Sequence, residues 1–447
     1  MKFAPESSTV KQALSAHAAI GLIAGALLYL VCLTGTVVVL YEEWQRVEQP
    51  DAPEMQHIAP AAVQAGVAAV MAEESGRVPQ TGHLYVHMPS PALPRTTITT
   101  DHQAVHLAAD GTLAGPEEIA WSDFLLQLHY TLNLPSLVGI TIVGALGVMI
   151  LALALSGVIA HPRIFRDAFR LRTRQSGGVA LADWHNRLSV WTLPFTLAIA
   201  LTGALIGLAS VAAYALAAAY YDGDTEAVYA PIFGEEMAGA GAPGVPDVAG
   251  PLSYMQAHHP GVHMTYAIVH EPGTAGQHVQ IIGEHSRRLI FGEYYNFDAR
   301  GTFLGTAGLA DGDMGRQAAA STYNLHFGNY GGLPVKLAYI LFGVALTAIC
   351  ATGAYIWLGK RARRGHAEPR LLAAWDAVVW GTPLALLLTF LARLVIGNGA
   401  PFAVIFWIGT AAILAVNIAL AGRMRTRGAL QLLLGVGSAA GLILAAA

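Results

Sequence analysis

Imidazole ligates metals well and sits poorly in an apolar phase, so the histidines at the edges of this chain's apolar runs are its most informative residues. Ala16-His17 opens a run that reaches Leu33-Thr34-Gly35, and Trp184-His185 opens one that reaches Leu201-Thr202-Gly203, with the same interval from His to Thr in both. Leu128-His129-Tyr130 leads to Leu134-Pro135 and then Ser156-Gly157, while Leu325-His326-Phe327 leads to Leu333-Pro334 and then Thr352-Gly353. The unit is a duplicated helix, loop, helix. A single histidine at a span edge is explained by an interfacial or capping role. Four at duplicated positions favour paired axial ligation of haem iron. His161, just after Gly157, has Trp357 at its repeat position and ranks below His17 and His185.

The elements that must carry these residues are membrane spans. Of 447 residues 54% are hydrophobic and only 12% charged, and uncharged runs are long enough to cross a bilayer. Seven spans are expected, at residues 18–40, 136–160, 188–215, 335–358, 373–395, 401–421 and 428–446. Asp376 and Arg393 shorten the fifth, which then needs interfacial anchoring by Trp375 and Trp380. Arg163, Arg166, Arg170, Arg172, Arg174 and Arg187 crowd loop 161–187, Lys360, Arg361, Arg363, Arg364 and Arg370 follow span four, and Arg423, Arg425 and Arg427 follow span six. Short basic loops are cytoplasmic, which puts the acidic loops 41–122 and 221–330 outside. The net charge of −4 is thus a topology signal and gives no support to nucleic-acid binding. Lys2 and Lys11 before a long apolar run read as a retained signal anchor. Cys32 and Cys350 are expected at different depths, as packing residues that do not form a disulfide.

Both repeats start inside and cross outward, so equivalent residues share a depth. His17 and His185 then fall near the cytoplasmic face and His129 and His326 near the external face, one pair for each of two b-type haems. Gly21 and Gly25 lie on the His17 face, and Ser189, Thr192 and Thr196 on the His185 face, which agrees with close approach of a flat macrocycle, although for the Gly and Ser positions alone helix packing is the favoured reading. In the loops, residues 60–73 and 251–258 read as helices, and 84–88, 96–100, 103–107, 264–269, 278–282 and 288–291 as strands. The turn Asp110-Gly111-Thr112-Leu113-Ala114-Gly115 recurs as Arg300-Gly301-Thr302-Phe303-Leu304-Gly305, and 234–251 reads as a Gly, Ala and Pro-rich linker. Histidines 83 and 87, and 258, 259 and 263, read as solvated surface rather than as a metal site, and Tyr254, Tyr294 and Tyr295 as residues that could serve a chelate-binding surface. No phosphate-cradling loop, covalent haem motif or iron-sulfur cysteine set is present. Electrons must therefore come from quinol or a separate cytoplasmic reductase.

Loops of this kind between four spans, with Leu181 to Leu188 around Asp-Trp-His, Leu325 to Pro334 with its His-Phe-Gly, and Thr352 to Arg361 ending in Trp-Leu-Gly-Lys-Arg, resemble the PepSY-associated transmembrane family. The resemblance covers about residues 10–364 and leaves the last three spans outside. It implies a bacterial inner-membrane protein, a membrane all-α bundle with two small α+β PepSY-like periplasmic domains, and kinship with iron-uptake proteins and siderophore reductases. The expected organisation is residues 1–40 (N-terminus and first span), 41–122 (periplasmic domain one), 123–160 (second span), 161–187 (basic loop), 188–220 (third span), 221–330 (periplasmic domain two), 331–358 (fourth span), 359–372 (basic loop) and 373–447 (three further spans). The expected activity is reduction of a ferric siderophore or other ferric chelate, with His17, His185, His129 and His326 as haem ligands. The rival is a non-redox membrane protein whose PepSY-like domains bind peptides, peptidases or envelope components.

Overall fold

The computed structural model describes residues 6–169, 178–233, 243–287, 289–424 and 426–445; Arg170, Arg172, Arg174, Arg425 and half of the expected linker lie outside them. In chain order the elements are α1 (Ser7–Val38), α2 (Tyr41–Glu48), α3 (Pro60–Glu74), β1 (His83–His87), β2 (Thr97–Thr99), β3 (Ala104–Leu107), β4 (Leu113–Pro116), α4 (Ala120–Thr131), α5 (Ser136–Ala160), α6 (Ile164–Asp167), α7 (Val179–Trp191), α8 (Leu193–Tyr220), α9 (Thr225–Phe233), α10 (Ala249–His258), β5 (His263–His270), β6 (His278–Glu284), β7 (Glu293–Phe297), β8 (Phe303–Thr306), α11 (Met314–Phe327), α12 (Leu333–Arg363), α13 (Pro369–Asp376), α14 (Thr382–Ile396), α15 (Phe402–Leu420) and α16 (Thr426–Ala445). They form a helical unit, Met1–Tyr41, Ala120–Ser210 and Gly332–Ala447, and a sheet unit, Glu42–Ile119 and Val211–Gly331.

Among the described residues seven helices are long and apolar enough to cross a membrane: α1, α5, α8, α12, the run from α13 through α14, α15 and α16. A lipid phase leaves every backbone polar group to be satisfied within the chain, which is why apolar runs of this length fold as continuous helices. Glycine sets how near they approach. A Cβ on Gly207 of α8 would stand 2.7 Å from the Cα of Gly144 on α5, so the two backbones touch there. α1 packs along α5 and α12.

The fifth span is held by more than interfacial tryptophans. Asp376 is buried and accepts hydrogen bonds from the Tyr355 hydroxyl at 2.7 Å and from Arg427 Nε at 2.8 Å, so a charge that interrupts one apolar run is matched by a cation at the start of another. A π-helical turn, Ala377–Gly381, follows at once, and Tyr29 of α1 donates its hydroxyl proton to the Val379 carbonyl there at 2.7 Å. Trp375 donates to the Ala351 carbonyl at 3.0 Å. The three further spans are thereby hooked to α1 and α12. Gly25, read from the sequence as a helix-packing position, receives the Trp375 ring, where an added Cβ would stand 3.4 Å from it.

The cysteines need correction. Cys32 of α1 and Cys350 of α12 do not lie apart: their Sγ atoms are 3.8 Å from each other. Depth estimated by counting along each span fails here because α12 is 31 residues long and places Cys350 near its middle.

The sheet unit also departs from expectation. The two loops do not build two separate domains; all eight strands form one antiparallel sheet in the order β4-β3-β2-β1-β5-β6-β7-β8. Each loop supplies a four-strand meander, and the meanders join through their first strands, with Tyr85 opposite Ile268 and His87 opposite Tyr266. Pairing β1 with β5 removes two strand edges that would otherwise be open to aggregation. The repeated turns are the β3–β4 and β7–β8 hairpins, where Gly111 and Gly301 take positive φ of 87° and 74°. The strand expected at 288–291 lies instead at Glu293–Phe297, where Glu293, Tyr295 and Phe297 alternate inward; Arg288 is outside the described residues. Helices α3 and α10 cover one face, and Val63, Val67 and Val70 pack with Leu84, Val86, Leu252, Val269, Ile281 and Phe297 in one core.

Candidate functional site

Three of the four predicted histidines sit in seats of one design. His17 Nδ1 lies 3.0 Å from the Leu153 carbonyl and 3.3 Å from Ser156 Oγ on α5. His129 Nδ1, from α4, lies 3.1 Å from the Val31 carbonyl and 3.4 Å from Thr34 Oγ1 on α1. His185 Nδ1, from α7, lies 2.9 Å from Thr352 Oγ1 on α12, with the Ile349 carbonyl as its backbone partner. In every case the hydroxyl belongs to a Ser/Thr-Gly step, and the carbonyl belongs to the residue three positions before that hydroxyl.

The chemistry of the seat follows from what each hydroxyl does with its own proton. Ser156 donates to the Ala152 carbonyl at 2.6 Å, Thr34 to Leu30 at 2.8 Å and Thr352 to Ala348 at 2.8 Å. A hydroxyl whose proton is already given to its own helix turns a lone pair outward and accepts. Carbonyl and hydroxyl are then both acceptors, so the neutral imidazole carries its proton on Nδ1 and leaves Nε2 unprotonated. That is the tautomer a metal-ligating histidine needs, oriented by the bond its other nitrogen makes. The glycine admits the ring: a Cβ would stand 2.7 Å from His129 Cε1 at Gly35, 3.3 Å from His17 Cε1 at Gly157 and 3.6 Å from His185 Cε1 at Gly353.

The structure brings His17 and His185 together. Their ring centroids are 6.4 Å apart with planes at 89°. Two imidazoles joined trans through one metal, at roughly 2.0–2.1 Å for each metal–nitrogen bond, have centroids about 6 Å apart. Spacing and tautomer both fit one metal between the rings. Ser189 donates to the His185 carbonyl of its own helix at 2.7 Å, Thr192 donates to the Leu188 carbonyl at 2.8 Å, and the Thr192 and Thr196 hydroxyls lie 3.3 Å apart, so these hydroxyls are engaged locally. His161 ends α5 as its C-cap, its carbonyl taking the Ile164 N–H at 2.8 Å.

His326 belongs to the sheet unit. It stands in the last turn of α11, whose start is capped by Asp313 accepting from the Arg316 N–H and whose end is turned by Gly328 at φ 74°, and its ring lies edge-on to Phe327 at 5.8 Å. The face of the sheet opposite α3 and α10 carries His83, His87, His270 and His278. His83, His270 and His278 are opposite one another on three neighbouring strands, with centroids at 5.1 and 4.5 Å. Among the described residues no three His, Cys, Asp or Glu side chains are grouped to hold a metal ion. Burial pushes His87 down to about 4, and burial with the repulsion of neighbouring basic groups does the same to His106, beside Arg95, and to His270, between His278 and His83. Tyr295 is buried in the core and Tyr254 packs against it, and Tyr294 packs against the second cluster around Ile290 and Leu309. All three tyrosines thus pack against the cores of the sheet unit.

The family described as the PepSY-associated TM region matches residues 14–360. The chain belongs to this family. The match contains all three seats and stops before α13, so the last three spans are additional to it. The chain is also similar to an uncharacterized protein of Pseudomonas aeruginosa, with 31% identity over 266 residues, covering 56% of this chain. The chain spans 66% of that relative's length.

Sequence reasoning found the histidines and the Ser/Thr-Gly steps but not that one receives the other. The repeat held the signal. Each half begins with a histidine and ends with Ser-Gly or Thr-Gly, and in each half the structure lays the first on the last.

Proposed function

We propose that this protein is an inner-membrane dihaem electron-transfer protein that reduces a ferric siderophore or other ferric chelate on the external side and so releases its iron. One observation carries the reading: His17 and His185 face each other at 6.4 Å, each with Nδ1 tied to acceptors and Nε2 left for a metal. These two side chains would hold one b-type haem. By the duplication, His129, held in the same kind of seat, and His326 would hold the other. Bound haem supplies a one-electron carrier that needs no proton from the protein.

The chain's own part is to fix the imidazoles and keep water out. Carbonyl and hydroxyl acceptors strengthen the ligand nitrogen and fix the ring plane, and the apolar helices around them exclude solvent. With the basic loops inside, the His17/His185 pair lies on the cytoplasmic side, where quinol or a separate reductase delivers electrons, and the His129/His326 pair lies toward the ferric chelate. Outer-sphere transfer asks for proximity and not for a general acid or base.

The test is the spectrum and haem content of the detergent-purified protein. A Soret band, sharp reduced α and β bands and two haems per chain by pyridine haemochrome are expected. Reoxidation of the prereduced protein by a ferric chelate, followed with a ferrous trap, tests the acceptor. Colourless protein would overturn the reading in favour of the non-redox alternative, a membrane protein whose sheet unit binds peptides, peptidases or envelope components.

A further inference from the structure

The chain has only two cysteines, 318 residues apart in sequence, and they meet inside the helical unit with Sγ atoms at 3.8 Å. Each stands two residues before a Thr-Gly step that forms a histidine seat: Val31-Cys32-Leu33-Thr34-Gly35 on α1 and Ile349-Cys350-Ala351-Thr352-Gly353 on α12. The residue before each cysteine lends its carbonyl to a histidine, Val31 to His129 and Ile349 to His185. The thiol pair therefore sits between one histidine seat of each kind. Its surroundings are apolar and aromatic, with Tyr29, Leu33, Ala351 and Trp375 around it.

We propose that Cys32 and Cys350 are a redox-active dithiol that closes to a disulfide and reopens, coupling α1 to α12. In closure two Sγ–H bonds break and one Sγ–Sγ bond forms, and two electrons and two protons leave. The acceptor must live in the same apolar phase and take both electrons and both protons. A membrane quinone does so, leaving as its hydroquinone. Dithiol and disulfide are both neutral, so neither state places an ion among lipid-facing helices, where an uncompensated charge is costly. Bringing the sulfurs from 3.8 Å to the bonded separation of about 2.05 Å draws α1 and α12 together at the two seats. Packing alone explains a buried cysteine. It does not explain why the two cysteines of the chain each stand beside a histidine seat and touch.

The experiment uses the full-length protein in lipid nanodiscs with a short-chain ubiquinone analogue under anaerobic conditions. The sample is acid-quenched, denatured, blocked with N-ethylmaleimide and weighed intact. The expected result is a monomer lighter by two hydrogens that takes up no maleimide, and that takes up two after dithiothreitol. Two maleimides on the quinone-treated wild-type chain, or a disulfide that joins two chains on a non-reducing gel, would overturn the proposal. Cys32→Ser and Cys350→Ser should each take up one maleimide with or without quinone. The readout is on the thiols and stands whether or not the protein binds haem, so it fails or succeeds independently of the reductase reading.

Discussion

His17 rides on the span helix α1 itself, whereas its counterpart His185 sits on α7, set off from span α8 at Thr192, where Pro194 lacks a helical donor. The anchors differ to match. The hydroxyl stands 3.3 Å from His17 Nδ1 in the first seat and 2.9 Å from His185 Nδ1 in the second. Both seats keep a main-chain carbonyl, Leu153 or Ile349, which no substitution removes, and the second holds its hydroxyl closer. Duplication has kept the design and shifted the weight between its parts.

The largest effect should come from removing a ligand. His17→Ala and His185→Ala should each lose the same one of two haems and halve the pyridine haemochrome while keeping the other spectrum. Different losses in the two variants would show that they do not share a haem.

Next come the hydroxyls. Thr352→Val should weaken haem retention by about 10–100-fold, the range for losing a partner that orients a ligand. Ser156→Ala should do less, because its hydroxyl stands farther from the ring, at 3.3 Å against 2.9 Å. Haem transfer to apomyoglobin measures both, and equal effects would erase the distinction between the halves.

The glycines give a graded series. Gly35→Ala, whose methyl would meet His129 at 2.7 Å, should destabilise by about 1–3 kcal/mol through overpacking. Gly157→Ala at 3.3 Å should cost less and Gly353→Ala at 3.6 Å least, by thermal unfolding in detergent. A different order would mean that the rings give way more easily than the packing indicates.

The smallest effect separates the two units. His87, His106 and His270 of the sheet unit have pKa values near 4 in the fold against 6.5 for the free side chain. Between those values the unfolded chain binds protons that the folded chain refuses, so stability is full above pH 6.5 and falls toward pH 4. Hydrogen-exchange protection factors in β1, β3 and β5, corrected for the intrinsic rate, should fall on acidification across that window, and His106→Gln should blunt the change. A sheet whose protection is flat from pH 7 to 4.5 would contradict the burial of these rings.

Much was legible before any coordinates. Apolar runs of this length fold as helices whatever their neighbours do, so the seven spans and their order could be read directly. The hairpin turns were legible for a similar local reason, since Gly111 and Gly301 sit where positive φ is required. The missed strand at Glu293–Phe297 lost to the more apolar Leu289-Ile290-Phe291, because apolarity without alternation marks burial and not strand. Tyr254 and Tyr295 looked like surface chemistry because a phenol reads as polar in sequence, although its ring packs as readily as phenylalanine.

By itself the sequence determined the spans, the duplication and the four histidines, since periodicity, length and repeat spacing are properties of one segment at a time. Only the tertiary structure decided which segments meet. It laid His17 on Ser156-Gly157 and His185 on Thr352-Gly353, joined two loops into one sheet through β1 and β5, and set Cys32 against Cys350. Contacts between residues more than a hundred positions apart depend on how helices pack and strands pair, and a local pattern carries no term for that.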